Sequence, residues 1–330
     1  MEGADRPSAA AHRGITWTGR IALAMSSVVL TLALLEGVLR VAGFHFSLTP
    51  AVQFGWPDPL TIQSVYADDP DLFWVTRDYH QKLREARRSH PAIIFMGDSC
   101  TEFGTYPART LALLSEDGPP VTGVHLATGG WSSEQGLVQL RRDVLPLKPA
   151  VVVIYYGWND HWMALGPTDP ALHLEHRFIG LAEHVRLLQV AFRAQVAWAE
   201  RSPVRPNRVP PAKYRDNLET MARLSEGAGI HPVFVTAPSN YVAGHEPAYL
   251  LQRHIQRLSD VIPFHEQYVQ LTREAARESG AVLCDAAAVF AALPGSHDRY
   301  FKSDAIHFTP EGDAELASIV SGCIIHGVPR

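Results

Sequence analysis

The sequence predicts an α/β protein: a three-layer α/β/α domain on a doubly wound, mostly parallel five-stranded sheet, preceded by one transmembrane helix. Three observations carry that expectation. Five short apolar runs recur down the chain with helical patterns between them. The runs are continuously hydrophobic rather than alternating, which is the pattern of strands covered on both faces. Near the start, IALAMSSVVLTLALL at 21–35 contains no charge and is apolar all round, unlike a helix on the surface of a soluble domain.

Taken in order, residues 1–20 read as a cytoplasmic tail carrying Arg6, Arg13 and Arg20. A transmembrane helix follows over 21–43. Counted from Ile21 to Leu39, the apolar stretch is close to the lower end of the roughly 17–25 residues that cross a bilayer. Glu36 and Arg40 interrupt its far end at a spacing that lets them pair on one face or snorkel to the headgroups. Arginines precede the span, whereas Asp58, Asp68, Asp69 and Asp71 follow it, so the N-terminus is expected inside and the bulk of the chain outside the cell membrane. RVAGFHF is a poor match to a signal-peptidase site, so a cleaved leader is the weaker reading.

Residues 44–90, with Pro50, Pro57, Pro59 and Pro70, read as a membrane-proximal connector. The domain itself is expected over 91–330. Its candidate strands are Ala92–Met96, Val121–Leu126, Ala150–Tyr156, Pro232–Ala237 and Ala281–Cys284. SSEQGLVQLRRDVL opens a helix with Ser132 and Gln135 at capping-box spacing. Thr309-Pro310-Glu311 reads as N-cap, first-turn proline and acidic first turn of the last helix. Strands alternating with helices at this spacing give the doubly wound arrangement. The stretch at about 160–230 is too long for one crossover and is expected to insert extra helices. Its segment RFIGLAEHVRLLQVAFRAQVAW has an apolar helical face suited to a lid or, more simply, to covering the sheet.

Composition narrows the function. With 330 residues, 46% hydrophobic, 19% charged and a net charge of −5, the chain is globular and lacks a basic stripe for nucleic acid. Cys100, Cys284 and Cys323 are too few and too scattered for a disulfide framework or a zinc site, and Cys100 reads as a small buried filler. His173 and His176 have no third ligand with them, and HEPAY and HEQYV lack the second histidine of a metalloprotease helix. No metal and no cofactor is therefore expected. Neither a phosphate-binding glycine loop nor a G-x-S-x-G elbow is present, which argues against nucleotide binding and against the α/β-hydrolase fold.

What remains is a convergence of polar groups. In open parallel sheets, ligands sit outside the carboxyl ends of the strands. The first strand ends in Gly97-Asp98-Ser99, the second in Gly129-Gly130-Trp131, the third in Gly157-Trp158-Asn159-Asp160, and the fifth leads to SDAIHFTPEG. A serine hydroxyl is a weak nucleophile until a base takes its proton. His307, three residues after Asp304, suits that base, with the carboxylate holding the other imidazole nitrogen. A tetrahedral oxyanion needs fixed donors, worth about 3–4 kcal/mol each. The N–H groups of Ser99 and Gly130 and the side-chain amide of Asn159 supply three. Asp98 suits a structural role, tying down the turn that aims Ser99. Trp131, Trp158, Trp162 and Tyr156 are either core or a sugar- or acyl-binding wall, with Trp131 and Trp158 the candidates for touching substrate.

With these residues in view, the chain resembles the SGNH hydrolases, the GDSL esterase/lipase family. GDSCTEFG resembles the family's first block, GGWSS its glycine block, GWND its G-x-N-D block and DAIH its D-x-x-H block, in family order across 97–307. The resemblance implies a flavodoxin-like sheet, Ser99 as nucleophile, Gly130 and Asn159 in an oxyanion hole, and Asp304 with His307 completing a triad. His125-Leu126-Ala127 replaces the asparagine often found before the glycines, which leaves Gly129 open as an alternative to Gly130. The expected activity is hydrolysis of a carboxylic ester, acyl or acetyl, through an acyl-serine, with acylated glycan or lipid as the ester substrate. The rival readings are an O-acyltransferase acting on envelope glycans with the same triad, and a non-catalytic glycan-binding protein.

Overall fold

The computed structural model describes residues 16–46, 64–116, 118–164, 168–172, 184–201, 204–252, 254–294 and 297–329. Five strands form the central sheet: β3 (Ile93–Gly97), β4 (Gly123–His125), β5 (Val151–Tyr155), β6 (His231–Val235) and β7 (Val282–Cys284). Their order is β4-β3-β5-β6-β7 and every pairing is parallel, with Ile93 opposite both Gly123 and Val151. This is the doubly wound α/β sheet the apolar runs predict, and all five strands fall where expected. The order reverses between β4 and β5, on either side of β3, so the C-terminal end of β3 faces the crevice where such folds bind ligands.

The reason for the continuous hydrophobicity is visible in the packing. Ile94 and Met96 of β3, with Val152 and Ile154 of β5, belong to one core; Ile93, Phe95, Val151 and Val153 belong to another. Successive side chains alternate faces, and both faces are covered. Helices α4 (Tyr106–Leu114), α9 (Ala286–Ala292) and α10 (Pro310–Gly327) lie on the second core, whereas α7 (Pro211–Gly227) and α8 (Val261–Ser279) cover the first. Both helix starts read from the sequence form as expected. Ser132 makes the full capping box with Gln135 ahead of α5 (Ser133–Gln139), and Thr309 Oγ1 accepts from Gly312 N at 3.2 Å.

Part of the expected connector belongs to the domain. β1 (Tyr66–Asp69) and β2 (Phe73–Thr76) form an antiparallel hairpin, followed by α2 (Tyr79–Ser89). Trp74 and Tyr79 are fully buried in the first core. The hairpin is locked to the domain by Arg142, whose guanidinium meets Asp69 at 2.7 Å and Asp71 at 2.9 Å. The domain therefore begins well before residue 91.

A disulfide corrects a second expectation. Cys284 at the end of β7 is bonded to Cys323 on α10, with Cα atoms 5.6 Å apart. The sequence separation of 39 hides the fact that α10 packs on β7. Cys100 is free and buried, as its reading as filler requires.

At the N-terminus, α1 (Trp17–Val41) is one helix long and apolar enough to cross a membrane, with a mean hydropathy of 2.1 over its most apolar window. Glu36 and Arg40 do pair, at 2.8 Å. Within the insertion, α6 (Arg186–Arg201) packs on α1. The part of the expected sheet-covering segment that lies among the described residues leaves Trp198 76% exposed. His173 and His176 lie outside the described residues, as do Arg6, Arg13, Pro50, Pro57, Asp58 and Pro59.

Candidate active site

Where β3 ends, Gly97 turns the chain under tight constraint. A Cβ there would collide with the Thr101 hydroxyl and come within 2.9 Å of the Tyr155 carbonyl oxygen. Asp98 then caps the single helical turn α3 (Ser99–Glu102), its Oδ1 accepting from Cys100 N at 3.0 Å. Ser99 is thereby presented at the first position of a helix, with its side chain facing the crevice. Asp98 is completely buried, and that burial pushes its carboxyl up to about 6 against the pull of the Cys100 N–H and the nearby His307.

The second contribution comes from the turn before α10. Ser99 Oγ lies 2.8 Å from His307 Nε2, and His307 Nδ1 lies 2.8 Å from Asp304 Oδ2. The other carboxylate oxygen of Asp304 accepts from Ile306 N at 2.9 Å and His307 N at 2.8 Å. Burial raises this carboxyl, but the hydrogen bonds from His307 and Ile306 outweigh it and hold the group below the ordinary aspartate range. An ionised Asp304 accepts only, so Nδ1 carries the proton and Nε2 offers its lone pair to the serine hydroxyl. Ala305 adopts a left-handed φ of 64° in the tight turn that brings the Ile306 and His307 N–H groups onto the Asp304 carboxylate.

The third contribution is donors. The N–H groups of Ser99 and Gly130 bond to no protein acceptor among the described residues. Gly130 takes φ 80°, a backbone conformation that favours glycine. Asn159 is buried, and its Nδ2 donates to Trp131 O at 3.0 Å and to Asp98 Oδ2 at 3.3 Å. The second bond is long and is the one an incoming anion would replace. Asp160 ties the two loops together, accepting from Ser133 N at 2.9 Å and Gly157 N at 3.2 Å. Burial pushes its carboxyl up to about 7.

Two expected substrate contacts separate here. Trp158 lines a cavity of about 120 Å³ together with Ser99, Asn159, Trp162, Tyr249 and His254. Trp131 does not line it. The left-handed turn at Gly130 sends the Trp131 ring into the core, where it is fully buried and its Nε1 donates to Trp74 O at 2.8 Å. Its role is to brace the glycine loop against the hairpin. Tyr156 is likewise core, whereas Trp162 reaches the cavity.

Other residues at the site escaped the sequence. Tyr249 donates to the Asp304 carbonyl at 3.2 Å. Trp74 Nε1 donates to Gly129 O at 2.8 Å. The carboxylate of Glu102 accepts from the Gly129 N–H and, at 3.0 Å, from Tyr66 OH; burial raises its pKa. Two side chains therefore clamp Gly129 just ahead of Gly130, Trp74 on its carbonyl and Glu102 on its N–H, with Tyr66 holding Glu102 in place. The one signal for Glu102 was its position a turn after Ser99 on the same short helix. Among the described residues, no three His, Cys, Asp or Glu side chains gather in a way that suits a metal ion.

Comparison with known proteins adds the following. The GDSL-like lipase/acylhydrolase family matches residues 95–314. Among solved structures, the lipase/acylhydrolase from Enterococcus faecalis is similar at 19% identity and a TM-score of 0.48, covering 71% of this chain and 95% of that one. The acetylxylan esterase Axe2 from Geobacillus stearothermophilus is similar at 17% identity and 0.47, covering 72% and 95%. The hydrolase LAE5 from the metagenome of Lake Arreo is similar at 18% identity and 0.45, covering 70% and 95%. No curated protein matches the chain.

Proposed function

Because the chain belongs to the GDSL-like lipase/acylhydrolase family and is an ester hydrolase, we propose that it cleaves a carboxylic ester through an acyl-serine intermediate on Ser99, as a membrane-anchored enzyme facing outward. The observation that carries this reading is the continuous relay from Asp304 through His307 to Ser99, both links at 2.8 Å, at the edge of an open cavity.

In the first half-reaction Ser99 Oγ attacks the carbonyl carbon while His307 Nε2 takes the hydroxyl proton. The negative charge that develops on the carbonyl oxygen is met by Ser99 N–H, Gly130 N–H and the amide of Asn159. Asn159 gives up its long bond to Asp98 for this shorter, charge-assisted one. Collapse of the intermediate expels the alcohol, which takes the proton from His307. In the second half-reaction His307 Nε2 takes a proton from water as it attacks the acyl carbon, the bond to Ser99 Oγ breaks, Oγ takes the proton back from His307, and the carboxylic acid leaves. The small cavity beside Trp158 and Trp162 favours a short acyl group such as acetyl. The alcohol part, whether glycan or lipid, extends toward solvent.

Two features support the outward orientation. Arginines lie before α1 and aspartates after it. The bridge between Cys284 and Cys323 suits an oxidising compartment rather than the cytosol. Hydrolysis of p-nitrophenyl esters of increasing chain length tests the reading: turnover should fall as the acyl chain grows and vanish in Ser99→Ala. Unchanged turnover by the purified Ser99→Ala protein would refute the nucleophile.

A further inference from the structure

Helix α6 is amphipathic in the wrong sense for a soluble protein. Leu187, Val190, Ala191, Ala194 and Trp198 recur at spacings that put them on one face. Such a face normally turns into a core. Here Val190 is 38% exposed and Trp198 76%, with Ala191 and Ala194 also exposed. The polar Gln189 points inward instead, buried, with its Oε1 accepting from Phe46 N at 3.1 Å.

The start of this helix is bolted to the far end of α1. Glu36 Oε1 accepts from Arg186 N and Oε2 from Leu187 N, both at 3.0 Å, so one carboxylate caps the N-terminus of α6. Arg40 donates to the carbonyl of His184 on the same junction, and the Arg193 guanidinium sits 5.8 Å above the Phe44 ring. From Trp17 to Glu36 the helical rise is roughly 28 Å, which matches the ~30 Å hydrocarbon core of a bilayer. With Trp17 at one interface, the junction between Glu36 and Arg186 lies at the other. The apolar stripe is therefore continuous with the end of a membrane span. Its helix also holds three arginines, Arg186, Arg193 and Arg201, against one acid, Glu200, a balance suited to lipid phosphates.

We propose that α6 is an interfacial helix, lying in the headgroup region of the outer leaflet with Leu187, Val190 and Trp198 at the acyl boundary, so that the domain is held against the lipid surface at a second point. The proposal rests on the membrane-anchor reading above. Its partner is phospholipid, with Trp198 as the aromatic anchor.

The test uses the full chain reconstituted into mixed phosphatidylcholine and phosphatidylglycerol vesicles. Nitroxide labels are placed singly at Leu30→Cys in α1, Val242→Cys in the loop after β6, and Ala194→Cys on the apolar stripe, with the unlabelled-site protein as blank for buried Cys100. Leu30, Val242 and Ala194 all lie on the outer surface of the protein, so each variant should fold. Saturation of the signal by oxygen and by a water-soluble nickel chelate reads depth. The label at 194 should show an oxygen-to-nickel accessibility ratio several-fold above that at 242 and below that at 30. A ratio at 194 equal to that at 242, with 30 still deep, overturns the interfacial helix while leaving the anchor standing. An aqueous reading at 30 overturns the anchor and this proposal with it. Spin–spin broadening at 194 that disappears on dilution with unlabelled chain assigns the stripe to a second copy and also overturns it.

Discussion

Replacing Asn159 with Ala probes the oxyanion site through two separable effects. The amide supplies one of three donors, and losing one such donor costs about 3–4 kcal/mol in the transition state, or roughly 10²–10³ in kcat. In this protein the amide is not idle in the free enzyme, because its Nδ2 is already 3.3 Å from Asp98 Oδ2. Part of its gain is offset by breaking that bond, so the fall should lie near the lower end, about 10²-fold, with KM little changed. The second effect is on stability. The substitution orphans two buried acceptors, Trp131 O and Asp98 Oδ2, at about 1–3 kcal/mol each, and less for the longer bond. Asp98 also loses a hydrogen bond that favours its ionised form, so its carboxyl rises further above 6.

The sign of the pH dependence follows. A buried carboxyl with a raised pKa binds more protons in the folded than in the unfolded state between 3.8 and about 6, so its burial costs stability as pH rises through that window. The variant should therefore be destabilised more, relative to wild type, at pH 7.5 than at pH 5. Steady-state kinetics with p-nitrophenyl acetate and thermal unfolding at the two pH values read both effects. A kcat within a factor of three of wild type would refute the donor role. A stability loss independent of pH would refute the coupling to Asp98.

Glu102→Ala removes the single carboxylate oxygen that accepts from both the Gly129 N–H and the Tyr66 OH, so kcat should fall about tenfold while KM holds; equal kinetics would show that the glycine loop needs no such clamp. Gly97→Ala forces a Cβ against the Tyr155 carbonyl and should cost about 3 kcal/mol or more, seen in urea unfolding as a lower midpoint. Cys284→Ser opens a loop of 39 residues and should cost about 3–4 kcal/mol in the chain-entropy account, a loss that dithiothreitol reproduces in the wild type.

What was legible in the sequence follows from how local each signal is. The strands β3 to β7 announced themselves because burial on both faces demands unbroken runs such as Val151–Tyr155. The polar blocks were legible because each sits at the end of such a run. The hairpin was not, since four-residue strands reading YADD and FWVT beside several prolines show no period. Trp131 was misplaced because neighbouring Gly130 in sequence says nothing about which side of the loop a ring takes; the left-handed turn decides that. The disulfide and the outward face of α6 depend on packing between distant segments, α10 on β7 and α6 on α1, which no local pattern encodes.

Trapping the covalent intermediate is the sharpest test of an acyl-serine on Ser99. The full chain is mixed with p-nitrophenyl acetate, quenched in acid within one turnover and mapped by peptide mass spectrometry. One acetyl group should appear on the peptide containing Ser99, be absent in Ser99→Ala and scarcely form in His307→Ala. Ester turnover with an unmodified Ser99 peptide, or acetylation of another side chain that disappears along with activity when that side chain is removed, would contradict it.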